Sequence, residues 1–556
     1  MRTRIPIGSD DFEKIRDEYY FVDKTNFLVE FFQNHADVTL LTRPRRFGKT
    51  LLMTMTQRFL TRQDAEKNRK LFDGLEVADH PDVMAEQGKH LVVFMTLKIW
   101  SGLTWETMRE TIVNGLCMLL ARWKFTLQSE KILPEEREDY LAICERRADD
   151  GQLRASLGLL MHCIEAYYGQ KVVLLIDEYD APIQYAWSHG YYKTAIDFFR
   201  AFYSDAFKTN PSLEFAILTG VLRIAKESIF SGLNNLKVSS VISGPYAGAC
   251  GYTKDEIVKM ANDLGHADKL EEIAAWYDGY LFHGVEIYNP WSVNNYFSDD
   301  CEPDVYWVNT SSNDIFQPML VQANEERWGE LKSLLTGKTV TLDLQEGVIY
   351  DEIGGQNNHI YTILLQTGYL KVVNTIRTSG GGRLYELAIP NKEIRLLYQK
   401  EILNRVDRSY GEVVFYKMGM AMQSGDAEEF QMRLSGIVRR AVSVYDTTHP
   451  ESFYHGLMLG CTLYYEADYR VESNQESGYG RFDLALFPKR AGLPGVLMEF
   501  KTVQEEEEMK RAIETAKRQI DEKAYVAKLR AEGVETIWCY AIAFCGKRVQ
   551  LEAVSV

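Results

Sequence analysis

Three groups of residues in this chain have the types and spacing for phosphate chemistry. The first is Arg43-Pro44-Arg45-Arg46-Phe47-Gly48-Lys49-Thr50, which follows the apolar run Val38-Thr39-Leu40-Leu41 and opens an apolar helical run over residues 51–60. A strand, a turn and a helix N-terminus in that order aim backbone N–H groups at phosphate oxygens. Lys49 then supplies a point charge to the β/γ-phosphates and the Thr50 hydroxyl holds Mg²⁺, with Arg45, Arg46, Phe47, Gly48 and Leu51 lining the nucleotide. The second group is Asp177-Glu178, at the end of the unbroken apolar run Val172-Val173-Leu174-Leu175-Ile176. Asp177 is expected to orient the Mg²⁺ shell and Glu178 to polarise the attacking water. The third group is Asp483, within Gly480-Arg481-Phe482-Asp483-Leu484-Ala485-Leu486, together with Glu499-Phe500-Lys501. Two acids on neighbouring strands make an oxygen-rich pocket for Mg²⁺. Lys501, two residues past Glu499, shares its face of the strand and is placed to orient a water or to stabilise charge on a scissile phosphate.

These residues need strands to present them, and the pattern supplies strands. Residues 172–176 read as a strand buried on both faces, as do Leu91-Val92-Val93-Phe94-Met95-Thr96-Leu97 and Glu214-Phe215-Ala216-Ile217-Leu218-Thr219-Gly220. Amphipathic helical stretches separate them, which predicts a parallel sheet covered by helices. Ligands in such sheets sit at the carboxyl ends of the strands. Thr219 ends one strand there and is expected to sense the γ-phosphate or align water beside Glu178. Arg223, four residues on, is the candidate for the charge that stabilises the transferring phosphoryl group. One position departs from G-x-x-x-x-G-K-[ST]: Arg43 stands where its first glycine belongs.

The chain resembles the AAA-ATPase-like proteins of bacteria that carry a C-terminal PD-(D/E)XK nuclease domain. The resemblance rests on residues 43–50, Asp177-Glu178-Tyr179-Asp180, Thr219-Gly220-Val221 and Ser228-Ile229-Phe230-Ser231-Gly232-Leu233-Asn234-Asn235-Leu236. Trp276-Tyr277-Asp278-Gly279-Tyr280 and Tyr288-Asn289-Pro290-Trp291-Ser292 follow in the same order. It implies that Arg at the first loop position is inherited. It also implies that Asp483, Glu499 and Lys501 occupy the three places of the nuclease signature, in a restriction-endonuclease-like core of helix, three strands, helix and strand. In that core a helix begins near Glu451, a strand spans 463–467, a long helix covers 505–529 and a strand covers 536–544. Glu451 can reach the metal or, with Thr448, form a capping box. Gln519 would bind substrate phosphate as in RecB-like nucleases, although Lys523 replaces the tyrosine expected four residues on. The acid run 505–508 reads as a helix start favoured by the dipole.

The expected organisation is therefore an α/β multidomain chain. A P-loop ATPase sheet occupies residues 1–254, a mostly helical, winged-helix-like lid and connector 255–405, and a restriction-endonuclease-like α/β domain 406–556. The lid expectation rests on the helix over 360–365, followed by strands 370–373 and 384–389 around Ser379-Gly380-Gly381-Gly382. No apolar run approaches the ~18 residues of a membrane span, and the first five residues lack the apolar segment of a secretory signal, so a cytoplasmic location is expected. The eight cysteines form no C-x-x-C and no zinc-spaced group, which predicts reduced thiols. A net charge of −16 excludes a protein that coats nucleic acid by bulk electrostatics, while leaving room for a local basic channel. The reading is an ATP-hydrolysing protein fused to a Mg²⁺-dependent nuclease that cleaves DNA, with a homo-oligomer possible. The alternatives are a nucleotide-controlled switch whose nuclease fold binds nucleic acid without cutting it, and a protein-remodelling ATPase.

Overall fold

The computed structural model describes residues 3–224, 229–230, 235–307, 325–345, 347, 359–404, 412–441, 450–473, 476–477, 480–522 and 526–556. The chain divides into two compact units, residues 1–311 with 341–393 and residues 312–340 with 394–556. Residues 255–405 are shared between the two.

In the first unit the apolar runs form β1 (Val38–Thr42), β2 (Leu91–Thr96), β3 (Val172–Asp177), β4 (Leu213–Gly220) and the shorter β5 (Leu236–Ser239). They pair in parallel in the order β2-β3-β4-β1-β5. Every residue of β1 and β3 is buried, as unbroken apolar strands in a doubly covered sheet must be. Because β4 lies between β1 and β3, the phosphate turn after β1, Thr219 on β4 and Asp177 on β3 stand side by side at one sheet edge. The turn ends at Gly48, whose φ of +88° is costly for a residue with a Cβ, and helix Lys49–Leu60 starts there.

Residues 255–400 depart from the mostly helical expectation. A three-stranded antiparallel sheet in the order β6-β8-β7 is built from β6 (Tyr252–Thr253), β7 (Tyr280–Phe282) and β8 (Val285–Tyr288). The β7–β8 turn is His283-Gly284, with φ of +45° and +87°. A turn with two positive φ values ordinarily announces itself as Asn-Gly or Asp-Gly, and histidine at its first position hides that cue. After β9 (Val340–Leu342), helix His359–Gln366 leads into the hairpin β10 (Lys371–Arg377) and β11 (Arg383–Ala388), turning where the Ser379-Gly380-Gly381-Gly382 run predicts. Ser228 and Ser231-Gly232-Leu233-Asn234 lie outside the described residues.

The second unit runs through helix Pro450–Leu463, β12 (Tyr469–Ser473), the short pair β13 (Glu476–Ser477) and β14 (Gly480–Arg481), and β15 (Leu484–Pro488). It continues with β16 (Gly495–Thr502), helix Met509–Glu522, β17 (Ile537–Cys545) and β18 (Arg548–Ser555). Its sheet has the order β12-β15-β16-β17-β18, with β16 and β17 parallel and the other neighbours antiparallel. Ala512, Ile513 and Ala516 of helix Met509–Glu522 pack on Ala541 and Ala543, small residues that let helix and sheet approach closely. Tyr454 of helix Pro450–Leu463 stacks on Phe544 with centroids 4.3 Å apart.

Two expectations here are corrected. Residues 463–467 are not a strand: the apolar helix continues to Leu463, a turn follows, and the strand is β12. The helix over 505–529 is shorter, because Glu506–Glu508 form a separate 3-10 turn and a distinct helix covers Ala527–Ala531. The edge strand β18 has no counterpart in the sequence reading.

Candidate nucleotide and metal sites

Around the phosphate turn the structure brings together Lys49, Thr50, Asp177, Glu178 and Thr219. Asp177 is almost fully buried and accepts hydrogen bonds from Thr50 Oγ1 at 2.9 Å and from Thr219 Oγ1 at 2.5 Å. Burial, reinforced by the charge of Glu178, raises the Asp177 carboxyl above the ordinary aspartate range against those two hydroxyl bonds and Lys49. Lys49 Nζ is cradled by the carbonyls of Arg43 at 3.2 Å and Pro44 at 3.1 Å and stands 3.6 Å from Glu178 Oε1. Glu178 has φ +56°, a left-handed conformation that costs about 1–3 kcal/mol and turns the chain sharply after β3. A hydroxyl and a buried carboxylate beside a lysine form a hard oxygen donor set next to a phosphate-directed cation, which fits Mg²⁺ held with a nucleotide. Leu51 is half-buried in the first helical turn, and the Arg223 N–H donates to Gln366 Oε1 at 2.8 Å.

The remaining turn residues pack against protein. Arg43 is wholly buried, and its guanidinium donates to Thr42 O at 2.9 Å, Ser239 O at 3.0 Å, Ser239 Oγ at 3.0 Å and Tyr246 O at 2.8 Å. It fastens β5 and the 240–246 loop to the phosphate turn, a task no glycine can perform. Arg43→Gly would restore the usual motif and leave these buried acceptors unsatisfied, so a loss of about 3–5 kcal/mol in stability is expected. Thermal and urea unfolding measure it, and an unchanged melting temperature would remove Arg43 from the framework.

Phe47, expected beside the nucleotide, is instead a core residue. It packs edge-on to Tyr280 at 4.9 Å and near Phe282 at 5.5 Å, because β7 delivers both rings beneath the turn. The Arg46 guanidinium lies 4.2 Å over Trp291, Arg45 Nη2 donates to Gln184 Oε1 at 3.1 Å, and the Arg45 carbonyl accepts from Trp307 Nε1 at 3.3 Å. The two aromatic motifs therefore form the bed of the turn. Beside them the buried Glu393 accepts from the Trp307 N–H at 2.9 Å and from Ser292 Oγ at 2.8 Å, yet burial pushes its carboxyl up to about 7. The unfolded chain releases that proton near ~4.3, so the wild type loses stability as pH rises between the two values. The melting temperature of Glu393→Gln minus that of wild type is expected to grow from about pH 5 to about pH 7.5. A pH-independent difference would contradict the buried, protonated carboxyl.

In the second unit, Asp483 immediately precedes β15, one step beyond the Leu484–Met498 pair, which sets it opposite Glu499 on β16. Its Oδ2 accepts from the Phe500 N–H at 2.7 Å. Glu499 is 4% exposed, and its Oε1 lies 3.0 Å from Lys501 Nζ, as residues two apart on one strand face require. Sequence reasoning missed His455 and Ser473. Ser473 Oγ donates to the Asp483 carbonyl at 3.0 Å, so the 2.7 Å contact with His455 has Nε2–H donating to Ser473, and Nδ1 stands 3.9 Å from Asp483 Oδ1. A histidine one helical turn past the predicted helix start was the available cue. Among the described residues no cluster of three His, Cys, Asp or Glu is arranged to hold a metal. The donor set is two adjacent carboxylates, which fits a hard cation that keeps several waters. Gln519 lies on helix Met509–Glu522 with Oε1 buried and, among the described residues, without a hydrogen-bond partner. Lys523, Thr448 and the Glu451 side chain lie outside the described residues.

The fold and these clusters fit an ATPase-like α/β unit joined in one chain to a PD-(D/E)XK nuclease-like unit. Residues 6–230 match the AAA-ATPase-like family model, described as a predicted AAA-ATPase, and residues 449–553 match the PD-(D/E)XK nuclease superfamily. The chain is 30% identical over 409 residues to an uncharacterized protein in the vnfD 5′ region of Azotobacter chroococcum mcd 1, a match covering 73% of this chain and 70% of that protein. The chain belongs to the family of AAA-ATPase-like proteins with a C-terminal PD-(D/E)XK nuclease domain. No helix among the described residues is long and apolar enough to cross a membrane.

Proposed function

We propose that the protein hydrolyses ATP in its first unit and cleaves DNA, with Mg²⁺, in its second. The ATPase reading is carried by the convergence of Thr50 and Thr219 on Asp177, with Glu178 3.6 Å from Lys49. Lys49, held at the turn by the Arg43 and Pro44 carbonyls, has a remaining N–H for the β/γ-phosphates, and Thr50 and Asp177 would hold the metal. Glu178 accepts a proton from the attacking water while Thr219 keeps Asp177 oriented. Arg223 neutralises charge on the transferring group.

The nuclease reading is carried by Asp483 facing Glu499 across two strands with Lys501 beside it. Asp483, steadied by the Phe500 N–H, and Glu499 hold the cation, and Lys501 orients the water or stabilises the phosphate charge. When bound, Mg²⁺ neutralises phosphate charge in the first site and lowers the pKa of water in the second. Helix His359–Gln366 and the β10–β11 hairpin serve as a winged-helix-like lid in this reading, between a nucleotide domain over 1–254 and a nuclease domain over 406–556.

The test is incubation of the pure chain with plasmid, linear DNA and RNA, in Mg²⁺, with and without ATP. The expected result is Mg²⁺-dependent loss of intact DNA and release of phosphate from ATP. Intact DNA together with active ATP hydrolysis would favour the non-cleaving switch.

A further inference from the structure

The two residues that follow Glu178 have side chains directed to a single task. Asp180 is fully buried, and its carboxylate accepts from the Val221 N–H at 3.0 Å and the Leu222 N–H at 2.7 Å. The Tyr179 hydroxyl donates to Leu222 O at 2.8 Å and accepts from the Ile224 N–H at 3.1 Å. Tyr179 is itself held, because its N–H donates to Thr219 O at 2.9 Å and its carbonyl accepts from the buried Tyr203 hydroxyl at 2.7 Å. At Gly220 an added Cβ would fall 2.4 Å from Asp180 Oδ1 and 2.5 Å from the Tyr179 ring, so the two segments touch with no space between them. Val221, Leu222 and Ile224 are buried, while Arg223 is half-buried. The turn after β4 is thus bound, backbone group by backbone group, to the segment carrying Glu178. Of these four residues only Arg223 is not fully buried.

We infer that Tyr179 and Asp180 are positioning residues for ATP hydrolysis, which fix the Arg223 turn relative to Glu178 so that the arginine charge and the water-polarising carboxylate reach the γ-phosphate in one geometry. This inference rests on the ATPase reading above and on the role it gives Arg223. Neither side chain needs to touch nucleotide. A hydroxyl and a carboxylate are required because the turn offers buried N–H groups and a carbonyl that apolar side chains would leave unsatisfied. Misplacement of a catalytic group by about 1 Å can cost about 100-fold in rate without loss of binding, and that separates a positioning role from a general loss of stability.

The experiment is steady-state ATP hydrolysis and ATP binding by the full chain, for wild type, Tyr179→Phe, Asp180→Asn, Arg223→Ala and the double variant Tyr179→Phe/Arg223→Ala. Tyr179→Phe keeps the ring against Tyr203 and Phe230 and removes only the hydroxyl. It is expected to lower kcat by about 10- to 100-fold with ATP affinity unchanged. In the Arg223→Ala background the same change should have little further effect, because the turn then carries no charge to misplace. Effects that multiply in the double variant, or a wild-type kcat for Tyr179→Phe, would overturn the inference while leaving the ATPase reading intact. A wild-type kcat for Arg223→Ala would instead remove the role of Arg223 and the inference with it. Should Asp180→Asn fail to fold, the Tyr179 cycle decides the matter alone.

Discussion

Lys49→Ala is expected to weaken ATP binding by roughly 10- to 150-fold, because a charge-assisted contact to phosphate contributes about 1.5–3 kcal/mol. In the structure Lys49 is 4% exposed and held by two carbonyls of the turn, so its ammonium is already placed at the helix N-terminus where phosphate oxygens would lie. Alanine there leaves the cradle without its cation. Glu178→Gln should behave differently. The amide keeps the size of the side chain and the strained turn but cannot take a proton from water, so hydrolysis should slow by about 100- to 10,000-fold while ATP still binds. Calorimetry and phosphate release separate the two outcomes. Wild-type affinity in Lys49→Ala would remove the phosphate turn from the nucleotide site.

The second large effect concerns the carboxyl-terminal acids. Asp483→Ala deletes one of two adjacent carboxylates and should both abolish DNA cleavage and weaken Mn²⁺ binding. Lys501→Ala should lower cleavage by about 100- to 1000-fold, the usual cost of losing a charge aimed at the transition state, with Mn²⁺ binding retained. The split follows from geometry, since Lys501 contacts Glu499 at 3.0 Å but donates no oxygen to a cation. Wild-type cleavage in either variant would take that residue out of the site.

Where a signal was local, the sequence carried it. The apolar run Val38-Thr39-Leu40-Leu41 and the unbroken run at 172–176 read as buried strands because of the Gly-Lys-Thr and the acids placed just after them, signals that lie close by in the chain. Lys501 follows from strand alternation alone. The parts that escaped depend on contacts across long stretches of chain. Arg43 looked like a defect in a phosphate loop because its acceptors, Ser239 and Tyr246, lie about 200 residues away. Phe47 looked like a nucleotide contact because β7, which supplies Tyr280 and Phe282, turns through a His-Gly pair. His455 has no periodicity to mark it, and only the pairing of β12 with β15 brings Ser473 and Asp483 to its ring. The 463–467 error has the same origin. Apolar helix and apolar strand are alike over five residues, and the packing of helix Pro450–Leu463 on the sheet decides between them.

The central claim is that two separate chemistries reside in one chain, and a single time course tests it: phosphate release from ATP and conversion of supercoiled plasmid followed in the same Mg²⁺-containing sample, for wild type, Glu178→Gln and Asp483→Ala. Wild type should show both activities, Glu178→Gln should lose phosphate release and retain its bound ATP, and Asp483→Ala should leave the plasmid supercoiled while still releasing phosphate. Plasmid conversion that persists unchanged in Asp483→Ala, or phosphate release that persists unchanged in Glu178→Gln, would contradict the assignment of that chemistry to this chain.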